Sequence, residues 1–187
     1  MVKERQVCAG EYYGLQLKFY RIGGGDMEYR LAKKKDIAEI VQRRIDYLHE
    51  HHKGLSVSYT EHLIPKLTLY FTKHLTKSIH AYVATVKPSE IVSIALLLVI
   101  EKPARPSFMN GKTATVLNVY TKPAYRRQGI AEKLMQMLLA DAHSKGVDSV
   151  DLTATPDGYP LYQKLGFHDD QPITKPMKFV VTKRLDA

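Results

Sequence analysis

Thr113-Ala114-Thr115-Val116-Leu117-Asn118-Val119-Tyr120-Thr121-Lys122-Pro123-Ala124-Tyr125-Arg126-Arg127-Gln128-Gly129-Ile130-Ala131-Glu132-Lys133-Leu134-Met135 is the stretch on which the fold turns. Its first part alternates as a strand does, and Pro123 ends that strand because it has no N–H for a sheet ladder. Glu132 to Ser144 reads as a helix, with Ile130, Leu134, Met137, Leu138 and Ala142 along its apolar side. Between the two lies a short basic turn containing Gly129. The N–H groups of a first helical turn lack intrahelical partners and carry the positive end of the macrodipole, so such a turn can hold an anion. Gly129 and Ala131 leave the backbone approachable, and Arg126 and Arg127 add charge.

Arg126-x-x-Gly129-x-Ala131 behind a strand resembles the pyrophosphate loop of the GCN5-related N-acetyltransferases, the GNAT family. Farther on, after an intervening strand, Pro160-Leu161-Tyr162-Gln163-Lys164-Leu165-Gly166-Phe167 resembles that family's L-Y-x-K-x-G-F segment. The two motifs stand in the family's order and spacing. The resemblance implies an α/β fold with a central, mostly antiparallel sheet flanked by helices, and transfer of the acetyl group of acetyl-coenzyme A to a primary amine. It also implies a set of roles. Arg126, Arg127, Gln128, Gly129, Ile130 and Ala131 would hold the pyrophosphate, and backbone groups at Val119, Tyr120 and Thr121 would pair with pantetheine and the acetyl oxygen. Tyr162 would protonate the departing thiolate as general acid. Thr155 stands where many members carry an asparagine and can still offer a hydroxyl to cofactor or substrate. No metal is implied. Some members carry a basic glutamate on the central strand; here Asn118 and Tyr120 occupy that region, and neither is a base at neutral pH. Glu101, His80 and Glu61 are the remaining candidates, beside a water chain or an amine that arrives neutral.

Composition sets the outer bounds. At 187 residues the chain fits one domain, and 44% hydrophobic with 25% charged residues is ordinary for a soluble globular protein. The longest apolar run, Ile91 to Ile100, is far short of the roughly 20 residues of a membrane helix, and the N-terminus has no apolar signal region. Cys8 is the single cysteine, which excludes an intrachain disulfide. A cytoplasmic protein is the simplest expectation. The net charge of +9 favours an anionic partner, and the phosphates of coenzyme A suffice as one. Basic residues are scattered rather than interleaved with aromatics, so single-stranded nucleic acid is disfavoured.

Along the chain, residues 1–26 read as an accessory extension or an extra hairpin, and a single domain is expected from Met27 to Ala187. Asp36 with Glu39 resembles a capping box ahead of a first helix ended by Gly54. His49, Glu50, His51 and His52 do not share a face and suit a helix C-terminus better than a metal. In a second helical region Pro65 is expected to start or kink the helix; Tyr59, Glu61, His62 and Tyr70 are candidate acceptor contacts there. His80–Lys87 and Ile91–Glu101 read as an antiparallel pair. Gly146 closes the central helix, Val147–Thr155 reads as a strand, and Phe167–His168 and Met177–Arg184 as the last strands. A small-molecule amine is the first choice of acceptor, with an aminoacyl-tRNA or a protein N-terminus next. The rival class is a non-catalytic coenzyme A-binding module. A monomer or a homodimer fits.

Overall fold

The alternating residues around Val116 and the near-continuous apolar run of Ile91–Ile100, interrupted by Ser93, lie side by side in one sheet. This computed structural model describes residues 18–22, 25–52, 54–87, 90–170 and 177–181. Six strands lie in chain order: β1 (Lys18–Ile22), β2 (Gly25–Leu31), β3 (Ile79–Lys87), β4 (Glu90–Glu101), β5 (Lys112–Thr121) and β6 (Ser149–Asp151). Neighbours are antiparallel throughout except β5 and β6, which are parallel. Helices α1 (Ile37–His51) and α2 (Val57–His74) connect β2 to β3, α3 (Ile130–Ser144) crosses from β5 to β6, and α4 (Tyr159–Lys164) follows. The α/β expectation with a mostly antiparallel sheet holds.

β4 is apolar on both faces because both are covered. Its Ile91, Ile94 and Leu96 pack with Ile40, Val41 and Ile45 of α1 and Phe71 of α2. Its Val92, Ala95 and Leu97 pack on the other face with Leu134, Met135 and Leu138 of α3. Each such side chain contributes on the order of 2 kcal/mol on burial, so two clusters clamp the sheet between helices.

Several boundaries differ from the sequence reading. The sheet starts before Met27: β2 opens at Gly25 and pairs with β1 from Lys18↔Tyr29 to Ile22↔Gly25. Residues 1–17 lie outside the described residues. Asp36 caps nothing forward of it; its carboxylate turns back to accept from the Lys33 N–H (2.7 Å) and from Arg30 (2.7 and 2.9 Å), because the buried guanidinium needs a counter-charge. Helix α1 ends at His51, ahead of Gly54. Pro65 lies inside α2, whose start is set instead by Ser56, its Oγ accepting from the Tyr59 N–H at 3.1 Å. α3 begins at Ile130 and ends as expected: Gly146 has φ +67, with Val147 N–H bonded to Ala142 and Gly146 N–H to His143. The strand foreseen over Val147–Thr155 shrinks to Ser149–Asp151. The Thr155 carbonyl accepts from the N–H groups of Gly158 and Tyr159 and turns the chain into α4. Phe167–His168 and the described part of the last expected strand, 177–181, are not strands, and Met177, Phe179 and Val181 are exposed. Residues 182–184 lie outside the described residues.

Candidate active site

β5 and β6 pair only at Thr113↔Ser149, Ala114↔Val150 and Thr115↔Asp151. From Val116 to Thr121 the edge of β5 that faces away from β4 has no strand partner among the described residues. Within this stretch the Tyr120 carbonyl accepts from Ser93 Oγ and the Thr121 carbonyl from Arg126 Nε, each at 2.9 Å, and Val119 lies on the unpaired part of the edge. On its other edge β5 is bulged: Ile94 pairs with Tyr120 and Leu96 with Leu117, so Asn118 and Val119 together face Ala95. Asn118 takes the bulge in the left-handed region, φ +51, a conformation asparagine tolerates better than most residues.

The turn beyond β5 runs through Pro123–Tyr125 and two left-handed residues, Arg127 (φ +60) and Gly129 (φ +74), into α3. Gly129 is the N-cap, so the N–H groups of the first turn behind it lack helical partners. A Cβ at Gly129 would meet nothing within 4 Å, so the space above these N–H groups is open. Ile130, fully buried in the α3 cluster, anchors the start of the helix; Ala131 is half-buried. Gln128 Nε2 braces the loop by donating to the Ala124 carbonyl at 3.3 Å. Arg127 is exposed. The Arg126 guanidinium is turned toward α1 rather than standing free over the loop. It donates to Glu50 (2.6 Å) and to the Thr121 carbonyl (2.9 Å) and lies 5.7 Å above the Tyr120 ring. Its hydrogen bond holds the Glu50 carboxyl below the ordinary glutamate range.

Tyr162 packs against the α3 cluster, with its ring edge-on to Phe167 at 5.9 Å. Burial, with a contribution from Tyr47, pushes its phenol up to about 12. The hydroxyl therefore stays protonated at neutral pH, as a proton donor must. Gly158 makes room for it: a Cβ there would stand 3.0 Å from the Tyr162 ring and 3.2 Å from the Thr155 hydroxyl. Thr155 Oγ1 accepts from the Gly158 N–H at 3.2 Å, so part of its hydrogen-bonding capacity is spent on holding α4.

α1 packs across β5, and here lie residues that sequence reasoning missed. Arg44 Nη1 donates to Asn118 Oδ1 at 3.0 Å, and the guanidinium lies 5.6 Å over the Tyr47 ring. Burial lowers its pKa. Asn118, 6% exposed, keeps a buried Nδ2 with no partner. The signal was present: Val41, Arg44 and Leu48 share one stripe of α1, and a cation on an apolar stripe is out of place. Its neighbour Arg43 is ion-paired with Asp46 at 3.1 Å and donates to the Ile91 carbonyl at 3.4 Å, while its buried Nε makes no hydrogen bond.

The candidate bases are elsewhere. Glu101 pairs in register with Lys112, the far end of β5, about 20 Å of strand away from Asn118. His80 is lowered first by burial and then by Lys145, which places it beside the C-terminal end of α3, opposite the loop. Glu61 is exposed on α2; Tyr70 stacks on His74 of its own helix, and His62 Nδ1 faces the Ser58 carbonyl at 2.7 Å. Among the described residues no three His, Cys, Asp or Glu side chains converge as a metal site. A groove of about 860 Å³ follows β6 and α4; of the expected site residues only Tyr162 lines it.

Residues 77–169 match the sequence profile described as an acetyltransferase (GNAT) domain. A solved acetyltransferase from Clostridium acetobutylicum, described as predicted and determined with acetyl-CoA, is 26% identical. It superposes with a TM-score of 0.69 over 81% of this chain and 96% of its own. A GCN5-related N-acetyltransferase from Ralstonia eutropha is 25% identical, with a TM-score of 0.61 over 81% and 98%. An aminoglycoside acetyltransferase from an uncultured soil metagenomic sample, solved with sisomicin, shares the fold at 18% identity and a TM-score of 0.56 over 84% and 97%. No curated protein matches the sequence. No helix among the described residues is long and apolar enough to cross a membrane.

Proposed function

From the premise that this chain belongs to the GNAT acetyltransferases, we propose that it moves the acetyl group of acetyl-coenzyme A onto a primary amine of a small molecule, with Tyr162 as general acid. The observation that carries the reading is the parting of β5 from β6 directly before the open N-terminus of α3. An unpaired strand edge and a cradle of free N–H groups then follow one another along the chain, which suits pantetheine and a pyrophosphate in turn. Acetyl-coenzyme A supplies an activated thioester; the amine nitrogen bonds to its carbonyl carbon as the carbon–sulfur bond breaks.

This chain's own groups then have distinct tasks. First-turn N–H groups of Gly129, Ile130 and Ala131 bind phosphate oxygens, and backbone groups of Val119 to Thr121 orient the thioester. Tyr162, kept neutral by burial, hydrogen-bonds the sulfur and delivers the proton that the thiolate takes up. No base is needed if the amine loses its proton early. Arg44, which has no carboxylate partner among the described residues, favours a neutral amine by repelling an ammonium.

Calorimetric titration of acetyl-coenzyme A into the protein, beside Gly129→Glu, tests the donor site. Saturable binding that the variant weakens at least tenfold is expected, because a carboxylate then occupies the phosphate cradle. No binding to the native chain would overturn the reading.

A further inference from the structure

We infer that the acceptor amine also carries a carboxylate, and that Arg44 and Asn118 recognise it. The inference rests on the acetyltransferase reading and narrows its substrate class.

The arginines buried or placed around α1 have carboxylate partners, with one exception. Arg30 binds Asp36, Arg43 binds Asp46 and Arg126 binds Glu50. Arg44 has no carboxylate partner among the described residues; its contacts are the Asn118 side-chain oxygen and the Tyr47 ring. A guanidinium has five N–H donors, and one of them is used here. The same bond fixes the orientation of the Asn118 amide. Arg44 can only donate, so the oxygen must face it, and the Nδ2 donor is turned away. That donor is buried without an acceptor in a residue 6% exposed, as is Nε of Arg43, which has Asp46 as its ion-pair partner. Buried donors are seldom left so unless something else completes them.

Two donor groups, one charged, therefore sit together at the bulge of β5, one residue before Val119 to Thr121. A planar carboxylate offers two oxygens to such a pair, in the fork geometry that guanidinium favours. Tyr47 lies under Arg44 and is close enough to Tyr162 to influence its phenol. An amine whose carboxylate is held at the bulge lies beside the strand residues Val119 to Thr121, where the thioester is placed. A polycationic acceptor is disfavoured at the same place, since Glu50, the carboxylate at this end of α1, is already bound to Arg126.

Matched amines test the inference by thiol release from acetyl-coenzyme A: phenylalanine against phenethylamine, and leucine against 3-methylbutylamine. The carboxylate member of each pair should show kcat/KM higher by roughly tenfold or more. Arg44→Gln should bring the members of each pair within about twofold of each other, while Arg44→Lys keeps part of the preference. Binding of N-acetylphenylalanine and N-acetylphenethylamine to the protein saturated with coenzyme A gives a reading independent of turnover, with the same order expected and lost in Arg44→Gln. Equal or reversed preference in both measurements, or a preference that survives Arg44→Gln, would overturn the inference. Acetylation of amines without a carboxylate preference overturns this inference alone. Failure of acetyl-coenzyme A to bind removes the acetyltransferase reading and this inference with it.

Discussion

Arg126 Nη2 donates to Glu50 Oε2 at 2.6 Å, and the bond ties the loop before α3 to the last turn of α1. The arginine that the motif offers to a phosphate is thereby committed to a carboxylate on the acceptor side. Both side chains are near 40% exposed, at 40% and 38%, so the pair contributes less than about 1 kcal/mol to stability.

Glu50→Gln should therefore leave the melting temperature within a few degrees and release the guanidinium. Acetyl-coenzyme A should then bind roughly twofold to fivefold more tightly by calorimetry. The pH dependence follows the lowered Glu50 carboxyl. The contribution of the pair is present above the ordinary glutamate value and is lost as pH falls through the lower folded value. High salt should erase it.

Tyr162→Phe should lower kcat by about 10²-fold or more and change the dissociation constant of acetyl-coenzyme A little, as expected for a lost general acid. With its phenol pushed up to about 12, Tyr162 stays protonated through the assay range and imposes no alkaline limb near pH 9. The fold prefers the neutral phenol. Its contribution to stability is complete below the ordinary tyrosine value and fades as pH rises through the folded one. Stopped-flow thiol release with parallel calorimetry separates turnover from binding.

Gly158→Ala isolates a question of space. Gly158 has φ −84, which any residue adopts, so no backbone strain enters. The added methyl would stand 3.0 Å from the Tyr162 ring and 3.2 Å from Thr155 Oγ1. A loss of about 1 kcal/mol in stability is expected, together with a fall in kcat as the ring moves off its position. Thermal melts and kcat should move together; an unchanged kcat would show that the position of the Tyr162 ring is not critical.

The Tyr82 hydroxyl donates to Asp141, and Lys145 Nζ does so at 2.6 Å, beneath α3. Asp141 is 4% exposed, so Asp141→Ala strands a buried hydroxyl and an ammonium and should cost about 3 kcal/mol. Tyr82→Phe removes one donor and leaves Lys145 in place, for about 1 kcal/mol. Urea denaturation of both variants checks the order.

The β1–β2 ladder divides the N-terminal extension into two parts. Deleting residues 1–17 should leave acetyl-coenzyme A binding within about twofold. Deleting 1–26 uncovers the edge of β2, whose Met27 and Tyr29 are each 2% exposed, and should destabilise and aggregate the protein. Melting curves and size-exclusion profiles of the two truncations distinguish them.

The strand–turn–helix unit of β5 and α3, the buried β4 and the glycine at the end of α3 were legible in the residues alone. These follow from local rules: alternation, an apolar run covered on both faces, proline's missing donor and glycine's access to positive φ. The sequence also marked Tyr162 and the Gly129 loop, because their chemistry is written in short motifs. Tertiary structure alone decided that Arg126 turns to Glu50, that Asn118 sits in a bulge facing Arg44, and that Glu101 and His80 lie away from the loop. Glu50 and Arg126, or Arg44 and Asn118, are more than seventy residues apart in the chain. Their pairing depends on how α1 packs across β5, and no periodicity within either segment encodes that distance.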